Sequence, residues 1–141
     1  MKPTPSADLA ARLRQAVTRV NRRLRVTSLG EISPAQASML ASVEILDAPT
    51  LGDLAAAEQI QPPSVTRLVK GLAEAGYLVQ KTDANDRRST RVGITPRGKK
   101  ALTEIRDRKT QFLNSKLSAL SAKELQKAQE LVTLLEGLLE E

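Results

Sequence analysis

Residues 50–95 read TLGDLAAAEQIQPPSVTRLVKGLAEAGYLVQKTDANDRRSTRVGIT, and their order decides the shape of the chain. Thr50 and Asp53 form a capping pair, and Leu51, Leu54, Ala55 and Ile60 give the core face of a short helix. Gln61-Pro62-Pro63 breaks that helix, because the residue before a proline avoids the helical region, so Ile60 and Gln61 form a turn. A proline is tolerated in a first turn, where its missing N–H is not needed. A second helix therefore begins at Pro62 or Pro63. Val65, Leu68, Val69 and Leu72 point inward from it, while Pro63, Thr66, Arg67, Lys70 and Glu74 point outward. Gly76 supplies the left-handed stop. Tyr77–Thr82 and Ser89–Thr95 are rich in β-branched residues and read as two strands, joined by the polar tip Asp83–Arg88. In the second strand Val92 and Ile94 share the face turned to the helices.

The flanks extend this pattern. Residues 1–5, MKPTP, carry two prolines and read as frayed. A helix runs from near Ser6 to about Val26, with Leu9, Leu13, Val17, Val20 and Leu24 along one stripe. Ser33-Pro34-Ala35-Gln36 opens the next with a capping box. It continues through Met39, Leu40, Val43 and Leu46 and ends at Asp47-Ala48-Pro49. Thr95-Pro96 starts a long helix carrying Leu102, Ile105, Phe112, Leu113, Leu117 and Leu120. Ser121 with Glu124 caps a final helix bearing Leu125, Leu131, Val132, Leu134, Leu135, Leu138 and Leu139. The result is a mainly α (α+β) chain of about six helices and a two-stranded β wing, a winged helix-turn-helix in one domain over residues 1–141.

Composition removes several classes of function. The 141 residues include no cysteine and no histidine. Disulfides, thiol switches and Ser-His or Cys-His catalytic pairs are therefore excluded, and a zinc site is disfavoured. No acid or base constellation has catalytic spacing, so the chain reads as a non-enzyme without cofactor or metal. Tyr77 and Phe112 are the only aromatics, too few for a platform on which single-stranded bases stack. No apolar run approaches a membrane span or a signal peptide, which points to a cytoplasmic protein of bacterial type.

The formal net charge is +6, and its distribution is more telling. Residues 1–30 hold seven Lys/Arg against one acid, and residues 31–60 hold five acids and no base. Residues 61–100 hold nine bases and three acids. Positive charge thus gathers on the N-terminal arm and on the second helix of the motif with its hairpin, the footprint of a polyanion binder. Solvated helix faces explain the N-terminal arm equally well.

The second helix of such a motif lies in a major groove and presents its N-terminal residues to base edges. Here these are Gln61, Pro62, Pro63, Ser64, Thr66 and Arg67. Arg67 can fork onto guanine or grip a phosphate, and Gln61 can pair with adenine. Ser64 and Thr66 are small donors, and the prolines offer apolar contact to a thymine methyl. Free N–H groups and the helix dipole at this end favour a phosphate. Lys70, one turn on, suits the backbone. At the hairpin tip Arg87 and Arg88 fit a narrow minor groove, with Asp86 beside Arg88 to orient its guanidinium. Arg91 in the second strand joins the same set. An alternative reading is a winged helix serving as a protein-interaction module without DNA sequence specificity; it calls for an exposed apolar patch on the second helix or the wing, where the sequence places charge.

Ser64-Val-Thr-Arg-Leu-Val69, Gly76-Tyr-Leu-Val79, Asp86-Arg-Arg88 and Ile94-Thr-Pro-Arg-Gly98 together resemble the MarR family of bacterial transcriptional regulators. The order of motifs and helices is similar over nearly the whole chain. The resemblance implies a homodimer on double-stranded DNA, with residues 6–32 and 98–141 as interleaved dimerisation helices. It implies that residues 33–97 form the DNA-binding region and face a pseudo-palindromic operator. It places Ser64, Thr66 and Arg67 in the major groove and Arg88, braced by Asp86, in the minor groove. It further implies a repressor released by a small anionic or phenolic effector bound between the two regions. Family members that sense peroxide or metals use cysteine or histidine, which this chain lacks, and no ligand-binding residue is assigned from the sequence.

Overall fold

The computed structural model describes residues 6–28 and 30–140, so the frayed end read into residues 1–5 lies outside the described residues. The elements run α1 (Ala7–Ser28), α2 (Pro34–Leu46), α3 (Leu51–Glu58), α4 (Pro62–Glu74), β1 (Leu78–Thr82), β2 (Thr90–Ile94), α5 (Pro96–Leu117) and α6 (Ala122–Leu138). The six helices and the antiparallel pair match the sequence reading, with the first strand one residue shorter at its start and the second one residue shorter at each end.

The local signals act as their chemistry demands. Ser33, Thr50 and Ser121 each cap a helix and complete reciprocal boxes with Gln36, Asp53 and Glu124. Each box satisfies two backbone donors that the first turn leaves without partners. Thr95 accepts from the Gly98 N–H at 3.0 Å and starts α5. α4 closes with a Schellman arrangement: Tyr77 N–H donates to the Leu72 carbonyl at 2.9 Å and Gly76 N–H to Ala73 at 3.0 Å. Gly76 stands at φ 87°, a conformation that a Cβ disfavours.

Packing joins α2, α3, α4, both strands and the first half of α5 around one core. Met39, Leu40, Leu54, Val65, Val69, Leu72 and Val92 are fully buried there, with Val43, Leu78, Leu102 and Ile105 beside them. Leu46, the last residue of the helix, is 42% exposed. The helix ends after it, with Asp47 and Ala48 both at positive φ. α1 lies along α5. α6 buries no residue.

Two contacts bind the wing to the helices. Thr95 Oγ1 donates towards the Gly76 carbonyl at 2.7 Å and lies 3.0 Å from that of Tyr77. Beside it, α5 approaches so closely that a Cβ at Gly98 would stand 2.3 Å from the Tyr77 oxygen. At the other edge, Val92 N–H donates to the Pro49 carbonyl at 2.9 Å, and Thr50 bridges Arg91. The link before α3 thus adds a short third edge to the two-stranded sheet.

Substitution at two glycines separates these roles. Gly98→Ala should destabilise the fold by about 1–3 kcal/mol, because backbone rather than a movable side chain blocks the new methyl. Gly71→Ala, where the nearest atom is Gln36 Nε2 at 3.8 Å, should stabilise by about 0.5–1 kcal/mol through helix propensity. Urea unfolding followed by circular dichroism reads both. The caps of α3 and α6 also carry a pH signature. Backbone N–H groups of Thr50 and Ser121, followed by the hydroxyls, hold the Asp53 and Glu124 carboxyls below their ordinary pKa values. Depressed carboxylates add stability above the ordinary carboxylate range and lose it as pH falls through the lowered value. Asp53→Asn and Glu124→Gln should therefore flatten acid unfolding, whereas the neutral Gln36 gives the cap of α2 no such dependence.

Candidate nucleic-acid interface

α4 is two-faced. Val65, Val69 and Leu72 are fully buried on one side. Gln61, Pro62, Pro63, Thr66, Arg67, Lys70 and Glu74 are exposed on the other, and Ser64 is half-buried between them. The burial of three apolar side chains on α3, α2 and the wing fixes the helix rotation, which in turn fixes what it shows to solvent. Neither Arg67 nor Lys70 has an ion-pair partner among the described residues.

The turn before α4 is built from Gln59, in the left-handed region at φ 55°, and from Ile60, whose N–H returns to the Ala55 carbonyl at 3.2 Å. The start of α4 departs from the sequence expectation in one respect. Pro62 and Pro63 have no N–H, and the next two amides, of Ser64 and Val65, both donate to the Gln61 carbonyl at 2.9 and 3.3 Å. No backbone donor of residues 62–65 is therefore left to receive a phosphate. The hydroxyl of Thr66 is also engaged, donating to the Pro62 carbonyl at 3.1 Å. The signal was present in the consecutive prolines, which serve to start the helix and remove its anion-binding donors together.

α3 is held in place by Glu58, whose two carboxylate oxygens accept from the hydroxyls of Ser38 (2.8 Å) and Ser42, one turn apart on α2. This clamp fixes the spacing of the two helices that carry α4, and the sequence offered no pattern that singles it out.

At the wing tip two aspartates fold the loop. Asp86 Oδ1 accepts from the Arg88 amide at 3.0 Å and lies 3.4 Å from Arg88 Nε. The Arg88 side chain remains 93% exposed. Arg87 is exposed as well. Asp83 accepts from the Asn85 N–H at 3.0 Å and from Arg91 Nε at 3.2 Å. Those contacts, the Asn85 amide first, hold the Asp83 carboxyl below its ordinary pKa. Arg91 also donates from Nη1 to the Ala48 carbonyl at 3.0 Å. Its guanidinium thus spans the wing and the α2–α3 link, while Arg67, Lys70 and Arg87 have no ion-pair partner among the described residues and Arg88 touches only Asp86. Among the exposed large apolar side chains, Val79 is the one that belongs to α4 or the wing; an apolar docking patch is not what this face presents.

The model of the MarR family matches residues 32–90, from the start of α2 to the returning wing strand. An uncharacterized HTH-type transcriptional regulator of Mycobacterium bovis is 31% identical over 119 residues, covering 84% of this chain and 83% of that protein. The chain belongs to the MarR family. Solved structures agree in fold. A transcriptional regulator of Thermotoga maritima superposes with a TM-score of 0.79 at 23% identity, over 91% of this chain and 94% of that one. A mutant of the Staphylococcus aureus protein MepR bound to an oligodeoxyribonucleotide gives 0.73 at 21% identity, over 94% and 98%. As a MarR-family member this chain is a DNA-binding transcriptional regulator and not an enzyme. Among the described residues there is no group of acids that would hold a metal, and no helix is long and apolar enough to cross a membrane.

Loss of the Arg91 tether should loosen the wing without touching the core. In Asp83→Ala, amide exchange should speed up at residue 83, whose N–H donates to the Ser89 carbonyl, and at Ser89, whose N–H donates to the Asp86 carbonyl, each at 2.9 Å, while amides of α4 keep their protection. Exchange followed by NMR reads both sets in one sample.

Proposed function

We propose that the chain is a homodimeric repressor that places two copies of α4 in the major grooves of a pseudo-palindromic operator. In this reading residues 33–97 bind DNA, and residues 6–32 and 98–141 dimerise. The observation that carries it is the α4–wing face: four exposed cations, Arg67, Lys70, Arg87 and the Asp86-paired Arg88, stand on a buried scaffold that fixes their spacing. Arg67 reaches base edges or phosphate, Lys70 the backbone, and Gln61, Pro62, Pro63, Ser64 and Thr66 line the groove. Arg88, oriented by Asp86, and Arg87 enter the minor groove. Arg91 acts by holding the wing at its angle. The DNA-bound MepR structure of the same fold supports the geometry.

Dimerisation is supported by what one chain leaves uncovered. Apart from Ile45, Leu46 and Val79, every exposed large apolar side chain lies on α1, α5 or α6 or immediately after α6. A patch of this extent marks an association surface. The function places the protein in the cytoplasm, with the DNA.

A small anionic or phenolic effector is proposed to release the DNA. A cleft of about 440 Å³ opens between α1, α2 and α5 and is lined by Arg25, Ser28, Ser38, Leu102, Arg106 and Lys109. That size accommodates a small molecule. Arg106 is paired with Glu44 at 2.9 Å, whereas Arg25 and Lys109 have no such partner among the described residues. The cleft touches the helices of both regions, so a ligand that fits one arrangement better than the other shifts DNA affinity.

Arg67→Ala should weaken operator binding by about 1–3 kcal/mol and relax one base position, whereas Arg88→Ala should weaken it across sequences. Wild-type affinity should fall steeply with salt as counterions are released. Fluorescence anisotropy on a labelled operator measures all three, and unchanged binding by both variants would sink the proposal. A salicylate-type anion should release DNA from the wild type and not from Arg25→Gln/Lys109→Gln.

A further inference from the structure

We propose that the first turn of α4 selects thymine by its C5 methyl group, through an apolar surface made by Pro62, Pro63 and Thr66. The proposal rests on α4 being the major-groove helix and names what that helix reads first. Helix starts ordinarily meet DNA with backbone donors. This one has none to offer from residues 62–65, because the prolines lack N–H groups and the amides of Ser64 and Val65 both turn back to the Gln61 carbonyl. Of the two hydroxyls in this turn, that of Ser64 is half-buried at the side of the face, and that of Thr66 has spent its proton on the Pro62 carbonyl at 3.1 Å. Pro62, Pro63 and Thr66 nevertheless remain exposed, and residues 62 and 66, four apart, share one face of the helix. What they present is ring methylenes and one methyl.

On the major-groove edge of unmodified DNA, the thymine methyl is the one apolar group a base pair displays. An apolar turn facing any other base would desolvate a donor or acceptor without pairing it, which carries a penalty. One proline at the first helical position already fixes the backbone for helix entry. The second adds apolar surface and removes a second donor. Arg67 follows directly and supplies the polar contact on the next base, so the half-site combines a methyl read by shape with a base or phosphate held by charge.

Removing the methyl alone tests this, because uracil pairs as thymine does. A binding duplex is first selected from a random-sequence pool with the full chain. Each half-site thymine is then replaced by deoxyuridine, one at a time on either strand, and affinity is measured by anisotropy. The expected result is a loss of about fourfold at one or two adjacent thymines per half-site, the scale of one buried methyl, with the remaining thymines indifferent. The Pro62→Ala/Pro63→Ala variant, with its helix content checked by circular dichroism, should bind the two duplexes alike. If sequence-selective binding survives uracil at every thymine, the methyl proposal is overturned and the groove reading stands. Uracil sensitivity that persists in the double variant overturns the role of the prolines. A pool that yields no preferred sequence overturns the groove reading, and the methyl proposal with it.

Discussion

The hydrogen bond from the Val92 N–H to the Pro49 carbonyl joins two parts of the chain that could otherwise move apart. A two-stranded hairpin is marginal on its own in water. β1 offers the core only Leu78, and β2 offers Val92 with Ile94 half-buried. The wing therefore depends on being sewn to the helices. Val92 is fully buried and bonded at 2.9 Å to the link before α3. Arg91 reaches the Ala48 carbonyl from the same strand. At the far end Thr95 ties β2 to the close of α4. These points tie the hairpin and α4 into one unit, as the proposed reading of two adjacent grooves would require, since the distance between the cations must then not drift.

That seam is reached through backbone that is uncomfortable by itself. Asp47 and Ala48 stand consecutively at φ 55° and 54°, a region that costs a residue with a Cβ about 1–2 kcal/mol. The conformation persists because its product is useful: it ends α2, delivers Pro49 to a buried position and aims two carbonyls at β2. Asp47 is an aspartate, a residue that tolerates this region better than most. Strain at the link is thus offset by bonds to the wing, so wing order and the end of α2 are coupled.

Much of this was legible in the sequence because it is local. Serine or threonine followed three residues later by Gln, Asp or Glu fixed the helix starts, Gly76 fixed a stop, and the period of apolar residues fixed which side of α4 is buried. The cations at 67, 70, 87 and 88 could be named for the same reason: a face is determined by spacing alone. Long-range partners were not legible. Nothing near Arg91 in the chain announces that it bonds to Ala48, and residue type alone set it beside the exposed arginines of the tip. The two serines on Glu58 are equally silent, since hydroxyls at that spacing decorate many helices. The first turn of α4 is a different case. Its prolines were read for what they permit, a helix start, before being read for what they delete.

The outer helices show how little of the chain one copy can account for. Among the described residues the fully buried core holds no aromatic, Tyr77 packing at its edge, and it is confined to Ile32, the winged unit and the adjoining half of α5. α6, well capped by Ser121 and Glu124, keeps Leu125, Leu131, Val132, Leu134 and Leu138 exposed. A helix of 17 residues is marginal in water without packing, however good its cap. Whatever covers that face therefore contributes to the helix as well as to the contact. If the cover is a second copy, the same leucines that order α6 also set the separation between two α4 helices. Half-site spacing would then be a property of packing in the outer helices rather than of any residue that touches DNA. The cleft of Arg25 and Lys109 sits where α1 and α5 meet α2, so an anion bound there, as proposed, would act on the angle at which the reading units are held.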